Sequence, residues 1–213
     1  ARLAERIEGW SDGRVRALRS EAARGAFEAV FPALLEALAV APDPDRAVAR
    51  WESLLVNLPS AVNLFRLLEA RPGLLDQLVA ILTLAPPLAD ALARRADLLD
   101  ALIDTTALDL PGSVDQLAAL MTLQDGSYED VLDRVRRVVG ETRFALGVQL
   151  IEAAQDPLEI AEALCRVAEA ALRVCLDGAE EEFARIHGCI AGQDLLVLGL
   201  GRLGGGALTH ASD

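Results

Sequence analysis

The residues best suited to chemistry stand close together in Leu195-Leu-Val-Leu-Gly-Leu-Gly-Arg-Leu-Gly-Gly-Gly-Ala-Leu-Thr-His-Ala-Ser-Asp213. An apolar run, 195–198, enters a stretch with glycine at 199, 201, 204, 205 and 206. Glycine accepts positive φ and leaves the main chain uncovered, so successive N–H groups can form a concavity for an anion. Gly201, Gly204 and Gly205 are the candidates for close approach to phosphate, Arg202 for neutralising it and Ser212 for donating to it. Thr209-His210-Ala211-Ser212-Asp213 reads as the approach to an acidic metal ligand. The set points to nucleotide or phosphate handling. Two blander readings stand beside it: glycines after a strand are often a plain turn, and Arg202 suits a surface ion pair. Gly199, Gly201 and Gly204 also match G-x-G-x-x-G. A dinucleotide site would further require a helix, a second strand and an acid about 20 residues on.

These residues need elements to hold them. Leu195–Leu200 is short, apolar and followed by glycine, which predicts a buried strand. Before it, Asp156-Pro157-Leu158-Glu159 places an acid at the N-cap, proline at N1 and glutamate at N3, and so starts a helix. Its apolar stripe runs Ile160, Leu164, Val167/Ala168, Ala171/Leu172, Cys175, Ala179, Phe183 and Ile186 to about His187, with a bend expected at Gly178. Residues 128–153 predict one long helix with Val131/Leu132, Val135, Val138/Val139, Leu146 and Leu150 on one side. Ser113 caps a helix to about Thr122.

The first half also reads as helices, over 2–8, 14–39 with Pro32 inside, and from Asp43-Pro44 to about Leu58. Further helices follow at 60–70, with Ser60 as cap, and at 73–83, 87–94 and 96–104. Arg71-Pro-Gly-Leu74-Leu75-Asp76-x-Leu78 recurs as Arg95-Ala-Asp-Leu98-Leu99-Asp100-x-Leu102, which suggests paired helices rather than a solenoid.

Composition removes several functions. The chain has 213 residues, a net charge of −13 and no lysine. An acidic surface repels nucleic acid and anionic lipid. Without lysine there is neither a Schiff-base amine nor a P-loop lysine. No apolar run suffices to span a bilayer, and the charged start does not resemble a secretory signal. Cys165, Cys175 and Cys189 are scattered, as is usual in a reducing cytosol, so a cytoplasmic place is expected. With His187 and His210 the only histidines, zinc is not expected. Hydrophobic residues make up 53% and aromatics 4%, which predicts a core of leucine, valine and alanine.

Gly201-Arg202-Leu203-Gly204-Gly205-x-x-Leu208-Thr209-x-x-Ser212-Asp213 resembles the signature of the glutamine synthetase adenylyltransferases, Gly-Lys-Leu-Gly-(Gly/Ser)-x-Glu-(Leu/Met), a short spacer, then Ser-Asp-x-Asp-Leu. Ile7-Glu8-Gly9-Trp10, Arg16-Ala-Leu-Arg19-Ser20-Glu21 and Arg136-Arg137 through Gly147-Val148-Gln149 are similar to the helical region between that family's two catalytic domains. The family lysine is Arg202 here and the family glutamate is Ala207. Arginine keeps the charge but not the shape of lysine.

The resemblance implies a mainly α architecture: a helical bundle over 1–153, then over 156–213 the first helix and strand of a truncated polymerase-β-like nucleotidyltransferase domain. It implies an enzyme that transfers AMP from ATP to a tyrosine of glutamine synthetase, with the opposing removal elsewhere in the parent. Mg²⁺ is implied as cofactor, held by Asp213 and by a second aspartate two residues further on. The implied partners are glutamine synthetase, the PII signalling protein, ATP and glutamine. The chain is expected to be a piece of a longer protein and inactive alone, with its final segment irregular or held by another molecule. A helical scaffold without chemistry and a dinucleotide-binding enzyme are the alternatives.

Overall fold

The computed structural model describes residues 2–11, 15–58, 61–103, 109–123, 125–189, 192, 195–210 and 212, without the side chains of 2–5, 11, 101 and 103. The described residues are mainly helical, and no strand occurs among them. The chain divides into two compact units, Ala1–Thr105 and Thr106–Asp213.

In the first unit, α1 spans Arg2–Ser11, α2 Glu21–Ala39, α3 Pro44–Asn57, α4 Val62–Ala70, α5 Pro72–Leu84, α6 Pro86–Arg94 and α7 Leu99–Ile103. The helix expected over 14–39 is broken. A 3₁₀ turn covers Arg16–Leu18, and the Ser20 hydroxyl accepts from the Ala23 N–H at 3.1 Å, so α2 starts at Glu21. A serine oxygen satisfies one of the four N–H groups that a helix start leaves unpaired, and this outweighs continuing the helix. Asp43 caps α3 as expected, its carboxylate accepting from the Arg46 N–H at 3.1 Å. The expected cap Ser60 lies outside the described residues.

The repeat is real at the level of main-chain shape. Arg71 has φ −132° and ψ 85°, and Arg95 has φ −133° and ψ 85°. Each N–H closes the preceding helix, and each carbonyl accepts from the leucine three residues on. Proline after Arg71 enforces an extended conformation there. Arg95 adopts the same one before Ala96, with its guanidinium paired to Asp97 at 2.6 Å.

The core of this unit is not only aliphatic. Trp10, Phe27, Phe31, Trp51 and Phe65, five of the chain's eight aromatic residues, pack together with centroids 5.1–6.4 Å apart. Low aromatic content predicted otherwise, but composition is silent about clustering. Glu52 accepts from the Trp10 indole at 3.0 Å and pairs with Arg6, so α3 anchors α1. Arg50 donates to the Leu82 carbonyl at 2.7 Å and Asn57 to that of Ala93 at 2.6 Å, satisfying acceptors at the C-terminal ends of α5 and α6.

In the second unit, α8 spans Val114–Met121, α9 Tyr128–Ile151, α10 Pro157–His187 and α11 Gly201–Gly204. Capping boxes start α8, from Ser113 and Gln116, and α9, from Ser127 and Asp130. Asp156 accepts from the Leu158 N–H at 2.7 Å and starts α10. α10 packs on α9 and α8 around Leu117, Met121, Val135, Val138, Leu146, Ile160, Leu164 and Val167. α10 runs unbroken through Gly178, where an added Cβ would lie 3.3 Å from the Tyr128 ring. That glycine makes room for a neighbour.

Two expectations fail here. The buried stripe of α10 ends near Val174, while Phe183 and Ile186 are exposed. α10 is seven residues longer than α9, about 10 Å at 1.5 Å per residue, so its end projects past its partner. The strand expected over 195–200 is also absent. Leu195, Leu196, Val197, Leu198 and Leu200 are 49–82% exposed with no strand beside them. A strand's N–H and C=O groups need a neighbouring strand, and none occurs among the described residues. Over 195–200 the final segment is irregular as expected, whereas Gly201–Gly204 form a short helix. Among the described residues no single helix is long and apolar enough to cross a membrane.

Candidate functional site

The glycine-rich segment forms a tight hairpin of main chain. Gly201 sits at φ +58° and opens α11. The Gly204 N–H donates to the Leu200 carbonyl at 3.2 Å, that of Gly205 to Gly201 at 3.0 Å, and that of Gly206 to Leu203 at 3.1 Å. A Cβ on Gly204 would fall 2.3 Å from the Gly199 carbonyl oxygen. Gly204 is thus required by close approach of main chain to main chain. The N–H groups of Gly204 and Gly205, candidates for phosphate, are engaged within this turn. Arg202 is exposed, with no ion pair among the described residues.

Beyond the glycines, the chain is fastened to two helices. The Leu208 N–H lies 3.2 Å from both the Ala161 carbonyl oxygen and the Cys165 sulfur of α10. The Arg143 Nη2 of α9 donates to the His210 carbonyl at 2.8 Å and to that of Ser212 at 3.4 Å. Between these anchors the Ser212 N–H donates to the Thr209 carbonyl at 2.9 Å, and the Ser212 hydroxyl accepts from the Thr209 N–H at 3.0 Å. The two hydroxyls are 2.8 Å apart. This closed turn fixes Ser212. Asp213 lies outside the described residues.

A cavity of about 350 Å³ opens beside this turn, lined by Val139, Leu164, Val167, Ala171 and Leu203 with Arg143 as its charged residue. Cys175 borders it, and burial pushes its thiol pKa up. The His210 Nε2 is buried, with no hydrogen-bond partner among the described residues. Burial, and after it the Arg143 charge, pull the imidazole pKa below the ordinary histidine value, against an opposing interaction with the Arg143 main chain. Neutral imidazole is the form that tolerates this setting.

No group of three or more His, Cys, Asp or Glu side chains that could hold a metal ion occurs among the described residues. The described donors by themselves do not form a magnesium site. Arg143 and Ala161 were not singled out in the sequence, and Cys165 was noted only as one of three scattered cysteines. Arg143 is separated from His210 by 67 residues, a distance at which no spacing rule operates. Its only signal was its place in the stretch Arg136 to Gln149.

A family model described as glutamate-ammonia ligase adenylyltransferase matches residues 75–213. Among curated proteins, the chain is similar to the bifunctional glutamine synthetase adenylyltransferase/adenylyl-removing enzyme of Mesorhizobium japonicum, 37% identical over 210 residues, covering 97% of this chain and 21% of that one. The protein of the same name from Rhizobium meliloti is 35% identical over 214 residues, covering 99% and 22%. That from Xanthobacter autotrophicus is 37% identical over 210 residues, covering 97% and 21%. The chain spans about a fifth of the length of these relatives.

Proposed function

Because the chain belongs to the glutamate-ammonia ligase adenylyltransferase family, we propose that it forms part of an enzyme transferring AMP from ATP to a tyrosine of glutamine synthetase. In this reading 156–213 opens the transferase domain, and the helices before it link that domain to an adenylyl-removing one. The observation that supports the proposal is that Leu208 is tied to α10, and His210 and Ser212 to α9, where Ser212 is the serine of the resembled signature.

In the reaction the tyrosine hydroxyl loses its proton to solvent, its oxygen bonds to the α-phosphorus of ATP, the bond from that phosphorus to the α,β-bridging oxygen breaks, and pyrophosphate leaves. Such transfer depends chiefly on positioning and on stabilising negative charge. Arg202, exposed beside the glycine turn, neutralises phosphate charge. Ser212 orients the approach through its hydroxyl. Asp213 would supply one carboxylate to Mg²⁺, which when bound would offset phosphate charge. Glutamine and the PII protein act as regulators of the whole protein.

The test is labelled AMP transfer from ATP to glutamine synthetase by the complete native polypeptide. Asp213→Asn is expected to abolish transfer, and a polypeptide of residues 1–213 alone is expected to have none. Full transfer by Asp213→Asn would overturn the proposal.

A further inference from the structure

We infer that Arg143 of α9 is a positioning residue for nucleotidyl transfer, clamping His210 and Ser212 by their carbonyls and so fixing the main chain at Ser212, the residue before Asp213 in sequence. The inference rests on the functional reading above.

The clamp has three parts. The Leu208 N–H ties one end of the segment to α10 through Ala161 and Cys165. The Thr209–Ser212 turn shortens and stiffens the chain between. Arg143 then holds the other end, one nitrogen reaching two carbonyls that lie two residues apart. With any part missing, the segment keeps a hinge.

Arg143 differs from Arg136 on the same helix. Arg136 pairs with Asp133 in the exposed manner of a solvated face. Arg143 is half-buried and has no ion pair among the described residues. Its guanidinium is spent on main-chain acceptors. That is also how Arg134 holds the Leu120 carbonyl, at 2.7 Å, and Arg166 the Pro111 and Gly112 carbonyls, at 3.2 Å. Those two arginines serve the ends of α8. Arg143 serves the stretch that carries the family's serine and aspartate. The Nη2 amino group carries two N–H donors held in the guanidinium plane, one for each carbonyl, whereas a lysine ammonium rotates. The Arg143 charge also stands beside a segment that must receive a polyanion, in a chain whose net charge is −13.

The experiment uses the complete native polypeptide, with Arg143→Ala, Arg143→Lys, Arg136→Ala and Asp213→Asn. It reads kcat and KM for ATP in AMP transfer, together with amide hydrogen exchange at Leu208 and Ser212 without nucleotide. Misplacing reacting groups by about 1 Å costs on the order of 100-fold, so Arg143→Ala is expected to lower kcat about 10- to 100-fold with KM for ATP within about threefold. Arg143→Lys should fall between that and wild type, Ser212 exchange should accelerate in both, and Arg136→Ala should match wild type. If Arg143→Ala does not fold, the lysine variant decides by the same two readouts. Wild-type kcat and exchange in the Arg143 variants, with Asp213→Asn inactive, would overturn the inference while leaving the function intact. An active Asp213→Asn would sink the functional reading and with it the catalytic role of the clamp.

Discussion

The Leu208 N–H lies 3.2 Å from the Cys165 sulfur across 43 residues of sequence, sharing its hydrogen with the Ala161 carbonyl. This contact starts the docking of the glycine-rich segment on α10. Cys165 is buried, so its thiol serves as a weak acceptor inside the packing rather than as a reactive group. Cys165→Ala removes that acceptor and a buried sulfur. We expect a loss of about 1 kcal/mol, the usual net worth of one hydrogen bond. Faster Leu208 amide exchange should accompany it, and Cys165→Ser should retain part of the protection. Chemical denaturation and exchange measurements check both.

Gly204→Ala is predicted to disrupt the turn that leads to this segment. The new methyl would meet the Gly199 carbonyl oxygen at 2.3 Å, and neither partner is a flexible side-chain end. Overpacking of this kind costs about 1–3 kcal/mol when it must be relieved by main-chain movement. Exchange at Gly205 and Gly206 should rise, while the cores of both units keep their protection.

α9 ends with Ala153 at φ +50°, and the Ala154 N–H reaches back to the Gln149 carbonyl at 3.0 Å. The left-handed conformation costs an L-residue about 1–2 kcal/mol, which glycine avoids in part at the expense of a more flexible unfolded chain. Ala153→Gly should therefore stabilise the protein, by about 0.5 kcal/mol after that offset. A thermal melt with a lowered midpoint would contradict this.

His210 predicts a pH dependence. Its folded-state pKa lies below its ordinary value of 6.5, because burial and Arg143 disfavour the imidazolium. The unfolded chain therefore binds the proton more readily than the folded one. The stabilisation is fully present above about pH 6.5 and is lost as pH falls through the lower folded value. Denaturation midpoints of wild type should drop on acidification from pH 7 towards 5. In His210→Gln this part of the slope should disappear. Equal slopes in the two proteins would refute the assignment.

The local rules of helix starts and stops were readable without a fold. Asp43 before Pro44, Ser113, and Asp156 before Pro157 begin helices where a short oxygen-bearing side chain can reach a free N–H. Ser20 obeys the same rule, yet the apolar spacing on either side of it suggested one continuous helix. Periodicity records faces and does not register a break that preserves phase. Leu195–Leu200 shows the opposite limit: apolar residues before glycine suit a strand, but strand formation needs a second segment to accept its hydrogen bonds.

By itself, the amino-acid sequence determined a lysine-free, acidic, mainly helical chain, and its motif residues led to the family. Those properties depend on residue identity and on neighbours a few positions apart. Only the tertiary structure decided that Gly204 lies against Gly199, that Cys165 receives Leu208, and that Arg143 holds His210 and Ser212. Except for the glycine pair, these contacts join residues more than forty positions apart, brought together by the packing of α9 against α10. Their geometry is set by helix length, crossing and burial, which no short stretch of sequence contains.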